Sequence, residues 1–235
     1  VATWVIYYII LDGYVRSDVL KDLYDYDNSE FVNNLEMEGF FVAQQSHSNY
    51  AKTILSVPST LNMDYVDTFA PGLDDSKFWW LMEPFIDHSE VRTLLKSQGY
   101  QTVSFSTNWS LTDMNSADIH LAAFPVELTD FEQYLLQTTP LRLSQPFLQD
   151  SASVFTSETQ RRTILHTLGA LDDFVSDPDP VFVFAHILLP HPPFVLDAEG
   201  KPVQSATDFS FKDAEDFEGS SEEYRKGYKG QVEFL

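Results

Sequence analysis

An unbroken apolar run near the start of the chain, VIYYIIL at residues 5–11, limits the folds that this sequence can adopt. Its β-branched and aromatic residues favour an extended strand, and the lack of polar alternation predicts a central strand covered on both faces. The run ends at Asp12-Gly13. We therefore expect Asp12 at the carboxyl end of a strand, where open α/β sheets bind their ligands.

The rest of the chain alternates apolar segments with amphipathic ones. Two further apolar segments predict strands over residues 101–105 and 181–186, and residues 40–43 predict a short strand. Helices are predicted over residues 17–24, 29–38, 53–63, 88–97, 130–137 and 157–175, with another at the end of the chain. This alternation predicts one α/β domain over residues 1–235, a three-layer α/β/α arrangement with a mostly parallel central sheet.

The chain is strongly acidic, with 36 Asp and Glu residues against 14 Lys and Arg residues and a formal net charge of −22. This charge repels nucleic acids and anionic membrane surfaces, so we expect neither as a partner of these residues. An anionic ester can bind only where a cation reverses the local field. The absence of cysteine excludes disulfides, zinc–thiolate sites and cysteine nucleophiles. The acidic segment 197–223 is expected to be a mobile surface loop.

Asp12 is the first candidate for chemistry. A carboxylate at the carboxyl edge of a sheet is well placed to bind a divalent cation. An Asx turn or a helix cap before Tyr14 explains the residue equally well. The sequence leaves both interpretations open.

The second candidate is the segment SNYAKTILSVPS at residues 48–59, where a helix is predicted to begin near Thr53. Backbone N–H groups and the positive end of the helix dipole favour a phosphate or sulfate beside a hydroxyl in the first turn. Lys52 adds positive charge. The alternative is that Thr53 only caps the helix.

The third candidate is the segment HILLPHPPF at residues 186–194, which follows the second long apolar strand. Its prolines restrict the loop and can hold the His191 imidazole where it donates to an anionic oxygen or protonates a leaving group. The alternative is that His191 has only a structural role, as a lone histidine beside prolines more often does. His186 lies on the strand itself, so we expect it to be packed in the core.

In their order along the chain, these segments resemble the alkaline phosphatase/sulfatase superfamily. Within it, the resemblance is to lipid-linked phosphoethanolamine and phosphoglycerol transferases and their sulfatase-like relatives. The matching stretches are YIILDG at 8–13, residues 48–58, and PHPPF at 190–194. The resemblance covers most of the chain in order, although each motif is short.

This resemblance implies an alkaline phosphatase-like catalytic domain. Asp12 would bind a divalent metal, commonly zinc, manganese, magnesium or calcium, and Thr53 would be the metal-bound nucleophile that forms a covalent phospho-threonine. His191, Lys52 and Asn49 would contact the substrate, an anionic phosphate, phosphodiester or sulfate ester, lipid-linked esters included. The resemblance also implies an extracytoplasmic, membrane-anchored protein whose anchor lies outside these residues.

Two departures from the family pattern stand out. The family completes its metal site with an Asp-His pair, usually followed by Gly, after a further strand. Here Asp87-His88 is followed by Ser89 and opens a predicted helix in the wrong part of the order. We therefore expect a chain truncated at both ends, which stops before that strand and is inactive by itself.

The second departure concerns the nucleophile. The stretch SVPST at residues 56–60 resembles the sulfatase signature in which Cys or Ser becomes formylglycine, but Thr60 replaces its arginine. This favours Thr53 and leaves Ser56 as the alternative nucleophile of a sulfatase. A third interpretation is a non-catalytic, degenerate or truncated α/β domain.

Overall fold

The computed structural model describes residues 4–73, 79–148, 152, 156–175, 179–203, 217 and 219–235. The strands of these residues are β1 (Val5–Leu11), β2 (Gln101–Phe105), β3 (Ile119–Leu121) and β4 (Val181–Ile187). The α-helices are α1 (Ser17–Tyr24), α2 (Ser29–Met37), α3 (Thr53–Leu61), α4 (Val66–Phe69), α5 (Glu83–Asp87), α6 (Glu90–Ser97), α7 (Asp130–Thr138), α8 (Gln145–Leu148), α9 (Ser157–Ala170) and α10 (Ser221–Phe234). Short 3-10 helices cover Trp79–Met82, Ser110–Thr112, Pro140–Ser144 and Leu171–Phe174.

The four strands form one sheet in the order β1-β4-β2-β3, and all pairs are parallel. The predicted α/β class is therefore confirmed. β4 lies between β1 and β2 and is buried along its whole length. Its alternate side chains point to opposite faces. Each face consequently needs a helical cover.

Helices cover both faces of the sheet. On one face, α3, α5 and α6 pack against Phe182 and Phe184 of β4. On the other face, the end of α9 and the 3-10 helix Leu171–Phe174 pack against Val181, Val183 and Ala185. The helices thus form the two outer layers, and the core lies on either side of β4.

β1 does not occupy the central position that its composition predicted. It pairs with β4 along one edge and is the outermost strand of the described sheet. Ile6 and Ile9 remain 36% and 43% exposed. The prediction of a strand covered on both faces is wrong for β1 and correct for β4, because an apolar run does not specify how many neighbours a strand has.

Most other elements lie near their predicted positions. Residues 40–43 form no strand, and Phe41 is 92% exposed. The predicted helix over 157–175 divides into α9 and a 3-10 turn. α10 begins at Ser221, inside the predicted acidic loop, of which residues 204–216 and 218 lie outside the described residues.

No helix among the described residues combines the length and the apolar character needed to cross a membrane.

The last helix, α10, packs closely on the loop that follows β4. Tyr228 and Val232 of α10 are buried with Phe194 and Leu20 in one apolar cluster. Gly227 lies directly under the Phe194 ring, so a Cβ atom there would overlap the ring. Gly230 lies one turn further, where an added Cβ would be 3.6 Å from the backbone nitrogen of Ala198, an ordinary contact.

Because the space around these two glycines differs, we expect an alanine substitution to change the free energy of unfolding in opposite directions at the two positions. Gly230→Ala is expected to raise the free energy of unfolding by up to about 1 kcal/mol, the usual gain for alanine in a helix. Gly227→Ala is expected to lower it by about 1–3 kcal/mol, because the new methyl group displaces Phe194. Urea denaturation of both variants measures the difference. Equal effects would contradict the packing of α10 on Phe194.

Candidate functional site

Asp12 lies at the point where β1 ends beside β4. Its backbone N–H donates to the carbonyl of Ile187 at 2.9 Å, which extends the parallel ladder by one residue. Its own carbonyl accepts from the backbone N–H of His191 at 3.0 Å. The next residue, Gly13, has a φ of +82°, a conformation that favours glycine. The backbone thus fixes Asp12 between the ends of two strands.

The nucleophile candidate Thr53 meets the carboxylate of Asp12. Its Oγ1 atom donates to Asp12, with distances of 3.2 Å to Oδ1 and 3.4 Å to Oδ2. Thr53 is the first residue of α3, and Lys52 holds the N-cap position in an extended conformation. The alternative that Thr53 merely caps the helix is therefore wrong, since its hydroxyl bonds to another element.

The alternative interpretation of Asp12 as a local turn former also fails. The turn after β1 is closed by backbone atoms, with the N–H of Tyr14 donating to the carbonyl of Leu11 at 3.1 Å. The Asp12 carboxylate contacts Thr53 and His186 instead, 41 and 174 residues away in sequence. The Asp12 carboxylate therefore connects the end of β1 to α3 and β4 and does not close a local turn.

His186 is buried, as the sequence predicted, but it also takes part in the site. Its Nε2 atom lies 3.3 Å from Oδ2 of Asp12, and its side chain is inaccessible to solvent. Its Nδ1 atom lies 3.0 Å from Oγ1 of Thr112. Sequence reasoning missed this contact; the available signal was a single ionisable residue in the otherwise apolar strand VFVFAHI.

Burial and neighbouring groups act on the pKa of Asp12 in opposite directions. Burial raises this pKa, but the contacts with His186, His191 and Thr53 together outweigh burial and hold it below the ordinary value of 3.8. Asp12 is consequently ionised at neutral pH. No Lys or Arg side chain of the described residues forms an ion pair with it.

A buried carboxylate of this kind fits a divalent cation. An ionised group removed from water needs a compensating charge, and carboxylate and hydroxyl oxygens are ligands of hard cations. Asp12 and Thr53 supply both oxygens where β1 ends and α3 begins. Within the described residues, no group of three or more His, Cys, Asp or Glu side chains is arranged to hold a metal ion. Asp12 and Thr53 are thus two candidate ligands, and a metal site here would need further ligands besides them.

The loop that carries His191 is held against Asp12 by α10. Gln231 is fully buried, and its Oε1 atom accepts the backbone N–H groups of Val195 at 2.9 Å and Leu196 at 3.3 Å. Its Nε2 atom donates to the carbonyl of His191 at 3.4 Å. The imidazole of His191 lies close enough to lower the pKa of Asp12 and contacts the carbonyl of Pro192 through Nδ1.

The same helix also holds the loop after β1. The hydroxyl of Tyr228 donates to the carbonyl of Gly13 at 2.8 Å and accepts the N–H of Val15 at 3.3 Å. Tyr228 and Gln231 were not predicted as site residues. An amphipathic helix pattern indicates which face is buried but not which loops its polar atoms reach.

The other predicted residues lie near the site without contacting Asp12. Ser56 is the fourth residue of α3 and makes no hydrogen bond to Asp12 among the described contacts. Asn49 donates through Nδ2 to Oγ of Ser59 at 2.9 Å, a contact that ties the preceding loop to α3. Lys52 is exposed at the start of α3.

Asp87 and His88 have different surroundings, because Asp87 is held by contacts with neighbouring residues and His88 is exposed. Asp87 accepts the backbone N–H of Ser116 at 2.8 Å and lies 3.7 Å from the guanidinium of the buried Arg92. The side chain of His88 is 70% exposed. These contacts agree with the interpretation that this Asp-His pair is not the metal-binding pair of the resembled family.

A polar network continues from His186 into the interior. Oγ1 of Thr112 lies 3.5 Å from Oγ1 of Thr107, which donates to Oδ1 of Asp113 at 2.6 Å. The backbone N–H of Thr107 donates to the same oxygen at 2.8 Å. Burial raises the pKa of Asp113 to about 6, although both bonds from Thr107 favour the ionised form.

The raised pKa of Asp113 predicts that the free energy of unfolding depends on pH. Because its folded pKa of about 6 exceeds the ordinary value of 3.8, its contribution is fully present below about pH 4 and is lost as the pH rises through 6. At about 1.4 kcal/mol per pKa unit, the loss is on the order of 3 kcal/mol. Asp113→Asn keeps an acceptor for Thr107, so we expect it to be more stable than the wild type at pH 7 and to show a flatter profile.

Urea midpoints measured between pH 4 and pH 7 test this expectation. Asp22→Asn, at an exposed position of α1, is the matched control and is expected to leave the profile unchanged. Parallel profiles for wild type and Asp113→Asn would contradict the raised pKa.

Comparison with known proteins gives no independent assignment of this site. No family model, no curated protein and no solved structure matches the chain. The case for a function therefore rests on the contacts of Asp12 and Thr53 and on the motifs that surround them.

Proposed function

We propose that this chain belongs to a metal-dependent hydrolase or transferase that acts on phosphate, phosphodiester or sulfate esters through Thr53. One observation carries the proposal: the hydroxyl at the start of α3 donates to a buried, ionised carboxylate at the carboxyl end of β1. The two residues come from segments 41 positions apart, and the hydroxyl does not serve as a helix cap. The resemblance to the alkaline phosphatase/sulfatase superfamily supports the same pair.

Thr53 is the nucleophile in this proposal. Its Oγ1 atom forms a bond to the phosphorus or sulfur of the ester, the bond to the leaving alcohol breaks, and the hydroxyl proton of Thr53 is released. Water or an acceptor alcohol then attacks the Thr53 ester and regenerates the hydroxyl. A divalent cation bound here would lower the hydroxyl pKa and neutralise charge on the ester.

The surrounding residues orient the substrate. The positive end of α3 faces an anionic ester that approaches Thr53, and Lys52 adds positive charge at the same end. His191 stands on a loop whose backbone is bonded to Asp12, so its imidazole can donate to an ester oxygen or to the leaving group. Asn49 lies on the segment that leads into α3.

The finer parts of the proposal rest on the resemblance. They are an alkaline phosphatase-like fold, a zinc, manganese, magnesium or calcium ion, a substrate class that includes lipid-linked esters, and an extracytoplasmic, membrane-anchored full-length protein. The parallel sheet with helices on both faces is compatible with that fold. A cation also explains how a chain of charge −22 holds an anionic substrate.

Geometry favours Thr53 over the alternative nucleophile Ser56. Both residues lie on α3, but it is the Thr53 hydroxyl that bonds to Asp12. A sulfatase that uses Ser56 would require the Ser56 side chain, and not that of Thr53, to face the Asp12 carboxylate. Among the described residues, no hydrogen bond joins Ser56 to Asp12.

The proposal predicts a covalent adduct on Thr53. We expect the full-length protein with Mn²⁺ or Zn²⁺ to cleave at least one of p-nitrophenyl phosphate, bis-p-nitrophenyl phosphate and p-nitrophenyl sulfate. Thr53→Ala is expected to lower the rate by about 1,000-fold or more, because it removes the nucleophile. Ser56→Ala is the matched control on the same helix and is expected to retain most of the activity. Mass spectrometry of the peptide that spans both residues locates the adduct.

Two outcomes would overturn the proposal. Formylglycine at position 56 would identify a sulfatase that uses Ser56. Unchanged kinetics in Thr53→Ala, together with a melting temperature that does not respond to added metal, would identify a non-catalytic α/β domain.

A further inference from the structure

His186 was predicted only as a packed core residue, yet it lies beside Asp12. It is the sixth residue of β4, and parallel pairing places it directly beside Ile10, two residues before Asp12. Alternation along β4 puts its side chain on the same face as Phe182 and Phe184, the face that α3 covers. His186, Asp12 and the start of α3 therefore meet at one place.

The Nε2 atom of His186 is buried and makes no hydrogen bond within the described part of the chain. It nevertheless points at the site, since the Asp12 carboxylate is 3.3 Å away. A buried ring nitrogen that lies 3.3 Å from a carboxylate without a hydrogen bond to it calls for an explanation, and an ion is a common one. The same carboxylate accepts a hydrogen bond from the hydroxyl of Thr53, which makes a cation shared by these groups the fitting partner.

The opposite ring nitrogen has the partner that a metal-binding histidine needs. Nδ1 lies 3.0 Å from Oγ1 of Thr112, which is fully buried and can accept the Nδ1 proton. The Thr112 hydroxyl can in turn donate to the carbonyl of Trp109, at 3.5 Å. With Nδ1 protonated, Nε2 carries a lone pair directed at the site. Histidines that bind metals are generally oriented by such a contact on the other nitrogen.

We propose that Nε2 of His186 is a direct ligand of the divalent cation, beside the carboxylate of Asp12 and the hydroxyl of Thr53. This inference rests on the proposed function, because it concerns the same cation site. The set of one imidazole, one carboxylate and one hydroxyl leaves coordination positions open for the ester, as catalytic sites require. Imidazole also shifts the preference of the site from Mg²⁺ and Ca²⁺ toward a borderline metal such as Zn²⁺.

The test measures metal binding rather than activity. Isothermal titration of the metal-free full-length protein with Zn²⁺ and with Mg²⁺ gives both affinities for each variant. His186→Ala is expected to weaken Zn²⁺ binding by about 100-fold or more and Mg²⁺ binding much less. Thr112→Val, which removes the contact to Nδ1 but keeps the volume, is expected to weaken Zn²⁺ binding by about 10-fold. His88→Ala, at an exposed histidine, is the matched control and is expected to change neither affinity.

A second measurement counts the imidazole ligands of the bound metal directly. X-ray absorption spectroscopy of the full-length protein loaded with Zn²⁺ is expected to show imidazole scattering, and His186→Gln is expected to have one imidazole ligand fewer than the wild type while circular dichroism confirms a folded chain; an unchanged number of imidazole ligands would contradict the inference. A wild-type spectrum without imidazole would overturn the inference.

The affinities also separate this inference from the proposed function. If Asp12→Asn abolishes Zn²⁺ binding while His186→Ala leaves it unchanged, the cation site stands and His186 is not a ligand. If the wild-type protein binds no divalent metal, both proposals fail. If both variants lose Zn²⁺, His186 is a ligand as proposed.

Discussion

The parallel pairing of β1 with β4 is the interaction on which the candidate site depends. Its register runs from Val5 beside Val181 to Leu11 beside Ile187, and the backbone bond from Asp12 to Ile187 continues it. A shift of one residue would turn the side chains of β1 to the opposite face. The carboxylate of Asp12 would then point away from His186 and from α3. The register is fixed by burial, since Tyr8 and Ile10 pack on the same face as Phe182 and Phe184.

The second support of the site is α10, which contacts both loops at the carboxyl edge of the sheet. Tyr228 bonds to the backbone of the loop after β1, and Gln231 bonds to the backbone of the loop after β4. Each loop thus satisfies its polar groups with a side chain of the same helix, which is how irregular backbone is accommodated in a core. Asp12 and His191 are consequently held by one element, far from both in sequence.

Much of the fold followed from local patterns. Periodicity located β1, β2, β4 and most long helices, because apolar side chains that face a core recur at the period of each element. Position within the sheet did not follow, since β1 has the apolar composition of a covered strand and yet forms the edge of the described sheet. The strand predicted over residues 40–43 was also wrong, because no strand in the described part of the chain pairs with that segment. Pairing is a property of two segments, and a single segment does not encode it.

The sequence by itself determined the α/β class, the strand that ends at Asp12, and the helix that begins at Thr53. It could not decide whether these side chains act locally or contact one another, because each had a sufficient local explanation. The tertiary structure decided this by bringing Oγ1 of Thr53 within 3.2 Å of the Asp12 carboxylate and Nε2 of His186 within 3.3 Å. Contacts between segments 41 and 174 residues apart depend on strand order and register, which are set by packing of the whole sheet.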